Sequence, residues 1–299
     1  MKKKYLLIIV LIAACMLLSA GVTAGRPEYA SAATVFSGKG TAESPYLITS
    51  LADMKLLSSL CSGENASAYL SAHYKLTKDV DMGGVVSEES GRTVWGGEAF
   101  TPIASFGGTK YQEGGSGFSG VFDGNGKKLT NLYVYSVNNY VGLFGVIDGG
   151  TVRNLVIETG YVSGKQFVGG IAGAVYGKGT ITDGINGAMV YASSSHSGGI
   201  AGYVAGTSVS SRASVVRCIN MGGVSSTGSY VGGIVGANEG RVYECFNIGG
   251  VAGGSVRGAV AGSNGVEKAE PCASLERVYY NKDTLVLDNN ETLAPGSVC

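Results

Sequence analysis

Five carboxylates, Asp148, Glu158, Asp183, Glu239 and Glu244, are the acidic residues in the repeating part of this chain that can stack on one another. Hydrolysis or elimination on a polysaccharide needs two or three such groups on adjacent coils, or a calcium-holding cluster beside a Lys or Arg base. Only Asp183 and Glu244 share a repeat position, two repeats apart, with Arg217 between them. That spacing fits a solvated row of ion pairs better than a catalytic pair. Asp123, in Phe122-Asp123-Gly124-Asn125-Gly126, has the context of an Asx turn, with a calcium ligand as the other reading. The histidines are two, His73 and His196, and no His-Glu-x-x-His occurs, so zinc chemistry of that type is not expected. Gly115-Ser116-Gly117-Phe118-Ser119-Gly120 matches GxGxxG, but Lys110-Tyr111-Gln112-Glu113 precedes it and another glycine turn follows. A dinucleotide site needs a strand before and a helix after. Gly160-Tyr161-Val162-Ser163-Gly164-Lys165-Gln166 is one residue short of a P-loop and lacks its Ser/Thr. In a chain with 50 glycines both matches are expected by chance. No catalytic, cofactor-binding or metal-ligating residue is assigned, and no cofactor.

Cysteine offers a different chemistry. Cys218, Cys245, Cys272 and Cys299 follow one another at intervals of 27 residues, and Cys61 lies far upstream. Cys218 and Cys245 occupy the same repeat position, which predicts a buried thiol stack. Parallel stacked side chains seldom reach the disulfide dihedral near about 90°. A disulfide between Cys272 and Cys299 at the C-terminal end stays open as an alternative. The 17 tyrosines divide between two readings, core and corner packing or a surface aromatic row for sugar or protein.

The elements that must position these residues are repeats. Val141-Gly142-Leu143-Phe144-Gly145, Val168-Gly169-Gly170-Ile171-Ala172-Gly173, Ser197-Gly198-Gly199-Ile200-Ala201-Gly202, Val231-Gly232-Gly233-Ile234-Val235-Gly236 and Arg257-Gly258-Ala259-Val260-Ala261-Gly262 succeed one another. Their closing glycines are 28, 29, 34 and 26 residues apart, a period that signals a solenoid, propeller or array. Val152, Ile181, Val215 and Val242 align in this register. So do Val156, Ile185, Ile219 and Phe246, followed by Asn186, Asn220 and Asn247. Leucine is absent between Leu155 and Leu275, against leucine-rich repeats, and the glycine and valine content disfavours helical repeats. Propeller blades are longer than these units. An all-β, right-handed parallel β-helix of the pectin-lyase-like kind is expected, with about seven coils stacked at about 4.8 Å. Gly170, Gly199 and Gly233 should stack at one corner, with Ile171, Ile200 and Ile234 inward. Glycine should serve those corners by reaching φ > 0, and large side chains should be unable to repeat there. Pro45-Tyr46-Leu47-Ile48 and Tyr74-Lys75-Leu76-Thr77 read as short strands. Ser50-Leu51-Ala52-Asp53 reads as a helix start, and Leu51, Met54, Leu57 and Leu60 continue it as a capping helix over about 50–61.

Composition bounds the role. Lys+Arg and Asp+Glu both number 22, so no basic excess favours nucleic acid. Lys2-Lys3-Lys4 and the apolar run 6–18 read as a signal peptide, 1–32, cut after Ala32; a cut after Ala24 is the second choice. Cys15 in Ile12-Ala13-Ala14-Cys15 is the rival lipid-anchor reading, weakened by the apolar run that continues past it. Cutting after Ala32 leaves 18 basic and 21 acidic residues, a net charge of −3. No later apolar run is long enough for an integral membrane span.

The unit 231–251 resembles the GLUG repeat, named for Gly-Leu-hydrophobic-Gly, and Gly142-Leu143-Phe144-Gly145 carries the motif in plain form. Phe118-Ser119-Gly120-Val121-Phe122-Asp123-Gly124-Asn125-Gly126 and Gly38-Lys39-Gly40-Thr41 through Ile48 extend the similarity over 36–281. The resemblance implies a right-handed β-helix exposed on bacterial cell surfaces or secreted, as in adhesin-like proteins and in the non-catalytic N-terminal region of immunoglobulin A-cleaving metalloproteases. The expected organisation is a signal peptide 1–32, an N-terminal cap with first coils 33–117, repeats 118–281 and a C-terminal tail 282–299. The expected role is binding, adhesion or spacing without catalysis, toward an extracellular protein or glycan. The alternatives are a polysaccharide-acting enzyme on the same fold and the accessory region of a larger surface protease.

Overall fold

The repeat period becomes a stack of coils, because each coil leaves its backbone donors and acceptors to be paired by the next one along the axis. A computed structural model describes residues 36–62, 66–90, 92–108, 110–208, 210–265 and 273–281. The signal segment 1–32 with Cys15, the residues Cys272 and Cys299, and the tail 282–299 lie outside the described residues. From Gly38 onward the chain forms one unit of contacts, separate from the segment ending at Ser37.

Each coil contributes a strand to successive parallel sheets, and strand order within each sheet follows the chain. The first sheet contains Tyr46–Ile48, His73–Leu76, Val121–Asp123, Thr151–Arg153, Thr180–Thr182, Ser214–Val216, Arg241–Tyr243 and Ser274–Glu276. Among the described residues its eight strands make eight rungs, against the expected seven or so. A second sheet runs from Val80–Asp81 to Tyr279–Tyr280. A third is built on Leu132–Tyr135, Gly160–Gly169, Met189–Gly198, Val224–Ser226 and Val251–Gly253. A fourth is built on Phe144–Asp148, Ala172–Tyr176, Ala201–Val204, Val235–Asn238 and Ala261–Asn264. The protein is thus an all-β parallel solenoid. The antiparallel hairpins Val85–Glu89/Arg92–Gly96 and Gly206–Ser208/Ser211–Arg212 interrupt it.

The register is the one read from the repeats. Val152 pairs with Ile181, Ile181 with Val215 and Val215 with Val242, and all four are buried. Ile171, Ile200 and Ile234 are fully buried. Beside them runs a buried amide ladder. Asn186 Nδ2 donates to Asn220 Oδ1 at 2.9 Å, and Asn220 Nδ2 to Asn247 Oδ1 at 2.9 Å. Each asparagine also ties its own turn, as in Ala188 N–H to Asn186 Oδ1 at 3.1 Å and Gly249 N–H to Asn247 Oδ1 at 3.2 Å. An amide carries both donor and acceptor, so the same residue satisfies every level of a parallel stack.

The glycines act by size here, which corrects the expectation of φ > 0. In Gly198-Gly199-Ile200-Ala201-Gly202 a Cβ on Gly198 would stand 2.1 Å from the Ala201 carbonyl oxygen. On Gly199 it would stand 2.2 Å from Asn220 Cγ, and on Gly202 2.4 Å from the Phe167 carbonyl carbon. Three glycines thus clear the loop itself, the amide ladder and the preceding coil. The left-handed conformation falls instead to non-glycine residues. Asn154, Asp183, Arg217, Glu244 and Arg277 adopt it at one corner, with φ between 49° and 55°. Tyr140, Phe167, His196 and Tyr230 adopt it at another, with φ between 56° and 62°. Large side chains do repeat at a corner, contrary to expectation, because successive rings stack on one another.

The helix Leu51–Leu60, α1, forms where its capping pattern places it. Ser50 Oγ accepts from the Asp53 N–H at 3.2 Å, and the Asp53 carboxylate accepts from the Thr49 N–H at 2.8 Å. Met54 and Leu57 are fully buried, and Ser58 Oγ donates to the Thr101 carbonyl at 2.7 Å. A second short helix, Ala66–Leu70, has no clear signal in the sequence.

Candidate functional site: an aromatic cleft

The carboxylates weighed for catalysis are dispersed and engaged. Arg217 binds Asp183 with two hydrogen bonds, Nε to Oδ1 at 2.6 Å and Nη2 to Oδ2 at 2.8 Å, and donates to Thr182 Oγ1 at 2.9 Å. These Arg217 bonds hold the Asp183 carboxyl below the usual carboxylate range. Glu244, two coils on, pairs with Arg277 at 3.0 Å. The corner is a solvated ladder of alternating charge. Asp123 accepts from the Asn125 N–H at 2.8 Å, which is the expected Asx turn, and also from Asn154 Nδ2 and Arg153 Nε, each at 3.1 Å. Burial works to raise its pKa, yet those hydrogen bonds hold it below the usual range. Glu158 pairs with Lys128. Asp148 accepts from Tyr111 Oη at 3.0 Å and from the Gly114 N–H at 2.5 Å.

The two phosphate-loop look-alikes fall elsewhere in the fold. Gly115–Gly120 is a loop leading into the strand Val121–Asp123 with no helix after it, and Gly160–Gln166 lies inside the strand Gly160–Gly169. Among the described residues no group of three or more His, Cys, Asp or Glu gathers as metal ligands. Cys218 and Cys245 stack as free, buried thiols, with the Cys218 N–H 3.4 Å from Cys245 Sγ. Burial pushes the Cys218 thiol well up, and that of Cys61 up to about 12.

Two groups of tyrosines bear on the surface-row reading, apart from the Tyr46, Tyr69 and Tyr74 cluster near the first strands and Tyr243, Tyr279 and Tyr280 in the last coils. Tyr133, Tyr135, Tyr161 and Tyr191 lie on strands of the third sheet, and burial raises the Tyr161 phenol, with Tyr191, Tyr133 and Tyr135 nearby adding to it. The other population builds a cleft. Tyr140, Phe167, His196 and Tyr230 form one wall, one ring per coil. The centroid distances are 4.9 Å for Tyr140–Phe167, 4.7 Å for Phe167–His196 and 4.8 Å for His196–Tyr230. The floor is a column of the fourth sheet, Val146, Ala174, Tyr203, Ala237 and Ser263 in register. At the lower coils Phe106, Tyr111 and Tyr176 pack over Val146 and Ala174 and fill it. Above Tyr203 the floor continues with Ala237 and Ser263, and the groove opens into a cleft of about 550 Å³. Lys110, Gln166, Asn238 and Glu239 also line it.

The polar groups of the cleft are fixed from behind. Asn238 is fully buried, donates through Nδ2 to Asn264 Oδ1 at 2.8 Å, and accepts from the Gly240 N–H at 3.0 Å. The Tyr140 hydroxyl accepts from the Tyr111 N–H at 3.0 Å. His196 Nδ1 lies 2.8 Å from Ser195 Oγ and 3.4 Å from Gln166 Nε2. Burial pushes the His196 imidazole down to about 4, so the ring in the wall is neutral at neutral pH. A bulky residue with φ > 0 costs on the order of 1–3 kcal/mol. Four of them in consecutive coils persist because ring stacking, worth roughly 0.5–1.5 kcal/mol per pair, and packing offset the strain.

Residue types alone did not pick out this wall, since Tyr, Phe, His and Tyr are not identical. Position does mark it. Each ring lies immediately before the motif that opens its turn, in Tyr140-Val141-Gly142, Phe167-Val168-Gly169, His196-Ser197-Gly198 and Tyr230-Val231-Gly232.

No family model matches the chain. In sequence it is 32% identical over 155 residues to Halomucin from Haloquadratum walsbyi, a match covering 51% of this chain and 2% of that protein. It is 31% identical over 152 residues to a provisionally named Gly-rich membrane protein of Evansella cellulosilytica, covering 48% of this chain and 15% of that protein. The chain therefore spans a small part of the length of either relative. Among solved structures it is similar to a provisionally named immunoglobulin A1 protease from Bacteroides ovatus, with a TM-score of 0.61 and 19% identity over 88% of this chain and 85% of that one. At that identity the likeness is one of fold.

Proposed function

We propose that this chain is an extracellular β-solenoid that binds a ligand or spaces other domains, and does no catalysis. The carrying observation is the fate of Asp183 and Glu244. Each is committed to an arginine on an exposed corner, and Arg217 stands between them. The aromatic cleft supports a binding role. It has the size and the mixture of aromatic walls with a few fixed polar groups that small-ligand sites share. The relatives support an exposed location, one being named a mucin and the other a membrane protein. No described helix is long and apolar enough to cross a membrane.

A polysaccharide-acting enzyme is the second reading, favoured by Glu239, a carboxylate in the cleft lining. Glycoside hydrolysis ordinarily uses two carboxylates flanking the scissile bond, and the cleft lining supplies one. The likeness to an immunoglobulin A1 protease leaves room for an accessory role in a larger protein. The deciding experiment incubates the protein with a panel of neutral and acidic polysaccharides and assays reducing ends and unsaturated products. No release is expected. Turnover that disappears in Asp183→Asn, Glu244→Gln or Glu239→Gln would overturn the non-catalytic reading.

A further inference from the structure

We infer that the cleft between the Tyr140–Phe167–His196–Tyr230 wall and the Tyr203–Ala237–Ser263 floor is a binding site for a run of neutral hexopyranose units lying along the solenoid axis. The inference rests on the binding reading above and names the ligand class of that site.

Four features carry it. The first is shape: the open floor runs from Tyr203 through Ala237 to Ser263, two steps of about 4.8 Å each, so the cleft follows the axis and suits a short run of sugar rings. The second is the change in the floor. The rings Tyr111, Tyr176 and Tyr203 follow one another at 5.0 and 5.5 Å, and Tyr203 is followed in the floor by Ala237 and Ser263, so no floor ring continues the series above it. The Tyr203 ring itself is tilted, at 60° to Phe167 and 55° to Tyr176. A sugar ring placed over Ala237 occupies the level where the next aromatic would have stood. Its C–H face meets an aromatic neighbour, as the next ring of the column would.

The third feature is charge. The lining carries one cation, Lys110, and one anion, Glu239, and His196 is neutral. A uronate chain, a nucleic acid or a sulfated glycan would need a basic excess that the lining does not provide. A neutral polyol needs none. The fourth is hydrogen bonding. Gln166 presents an amide, Ser263 a hydroxyl and Tyr203 and Tyr230 phenols, and such groups both donate and accept. Sugar hydroxyls have the same dual character. The wall rings are held by stacking on one another, so less ordering is left to accomplish on binding.

The test is titration calorimetry of the full chain with cellohexaose, chitohexaose and mannohexaose, and with pentagalacturonate and heparin as acidic counterparts. A glycoprotein with neutral N-glycans, before and after enzymatic deglycosylation, separates free from protein-linked sources. At least one neutral oligosaccharide or the glycosylated protein is expected to bind saturably. Ser263→Trp, which fills the cleft without removing a wall ring, should weaken that binding at least tenfold with the thermal melt retained. Tyr203→Ala should do the same, and Tyr135→Ala on the third sheet should not. Binding of the acidic ligands alone, binding of the deglycosylated protein alone, no binding at all, or binding unchanged in Ser263→Trp overturns the inference. The two readings fail separately. Reducing ends released from a bound sugar would end the non-catalytic reading and leave the cleft assignment standing, whereas an absence of sugar binding would end only the latter.

Discussion

Gly202 lies so close to Phe167 of the preceding coil that a Cβ on the glycine would stand 2.4 Å from the phenylalanine carbonyl carbon. Gly173 stands in the same relation to Tyr140, Gly236 to His196 and Gly262 to Tyr230. The closing glycine of each repeat and the left-handed aromatic of the coil before are therefore two halves of one device. The glycine lets the backbone approach, and the approach holds the aromatic where it stacks.

Gly202→Ala should accordingly destabilise the protein by about 3 kcal/mol or more, since the obstacle is backbone and cannot swing aside. Gly223→Ala is the matched control, because a Cβ there meets nothing within 4 Å. Its effect should stay within about 0.5 kcal/mol. Urea denaturation midpoints of the two variants check this, and equal midpoints would refute the steric account.

In the amide ladder, Asn220→Asp replaces a donor with an acceptor opposite Asn247 Oδ1 and the Gly222 carbonyl, which Asn220 Nδ2 reaches at 2.9 and 2.8 Å. A carboxylate buried there would face acceptors, so its pKa in the folded state must rise above the unfolded value of about 3.9. The sign follows from linkage: the variant is closest to wild type at low pH and loses stability as pH rises through the folded pKa. Melting temperatures between pH 4 and 8 should show the gap to wild type widening upward. Asn220→Ala should cost about 2 kcal/mol or more at every pH, from unpaired buried groups.

His196 predicts the opposite slope. Its folded pKa is about 4, against about 6.5 for an unfolded histidine. The unfolded chain therefore takes up the proton first, and stability is complete above about pH 6.5 and falls as pH drops toward 4. His196→Phe keeps a ring in the wall and should remove this part of the acid sensitivity. Urea midpoints at pH 7 and pH 4.5 measure it, and an unchanged difference between them in the variant would assign the acid loss to other groups.

Asp183 owes its lowered pKa first to the hydrogen bonds from Arg217. In Arg217→Ala the carboxyl should titrate nearer its ordinary range, visible in the pH dependence of its side-chain carbon shift by NMR. Because both partners are largely solvated, the change in thermal stability at neutral pH should be close to nil. A large loss would mean that the corner ladder is a principal support of the fold.

Much of this molecule is legible in its sequence, and the reason is the parallel stack. When each coil sits in register on the last, a residue meets its own counterpart one period away. Val152, Ile181, Val215 and Val242, the asparagines 186, 220 and 247, and the Asp183–Arg217 pairing all appear as columns in the sequence alone, and the fold keeps them. Helix α1 was equally readable, because Ser50 and Asp53 act within one turn of chain. The aromatic cleft was not. Its wall depends on four residues of different types taking a strained conformation, and its floor on a column that passes from Ala174 through Tyr203 to Ala237 and Ser263. Whether a ring fills a groove or a gap opens it is set by what stands across the groove. Phe106 and Tyr111 come from a loop outside the repeats, and they fill the lower coils and leave the upper ones open. Periodicity reports what stacks on what along the axis. Contact across the groove, between residues with no fixed separation in sequence, was decided only when the chain had folded.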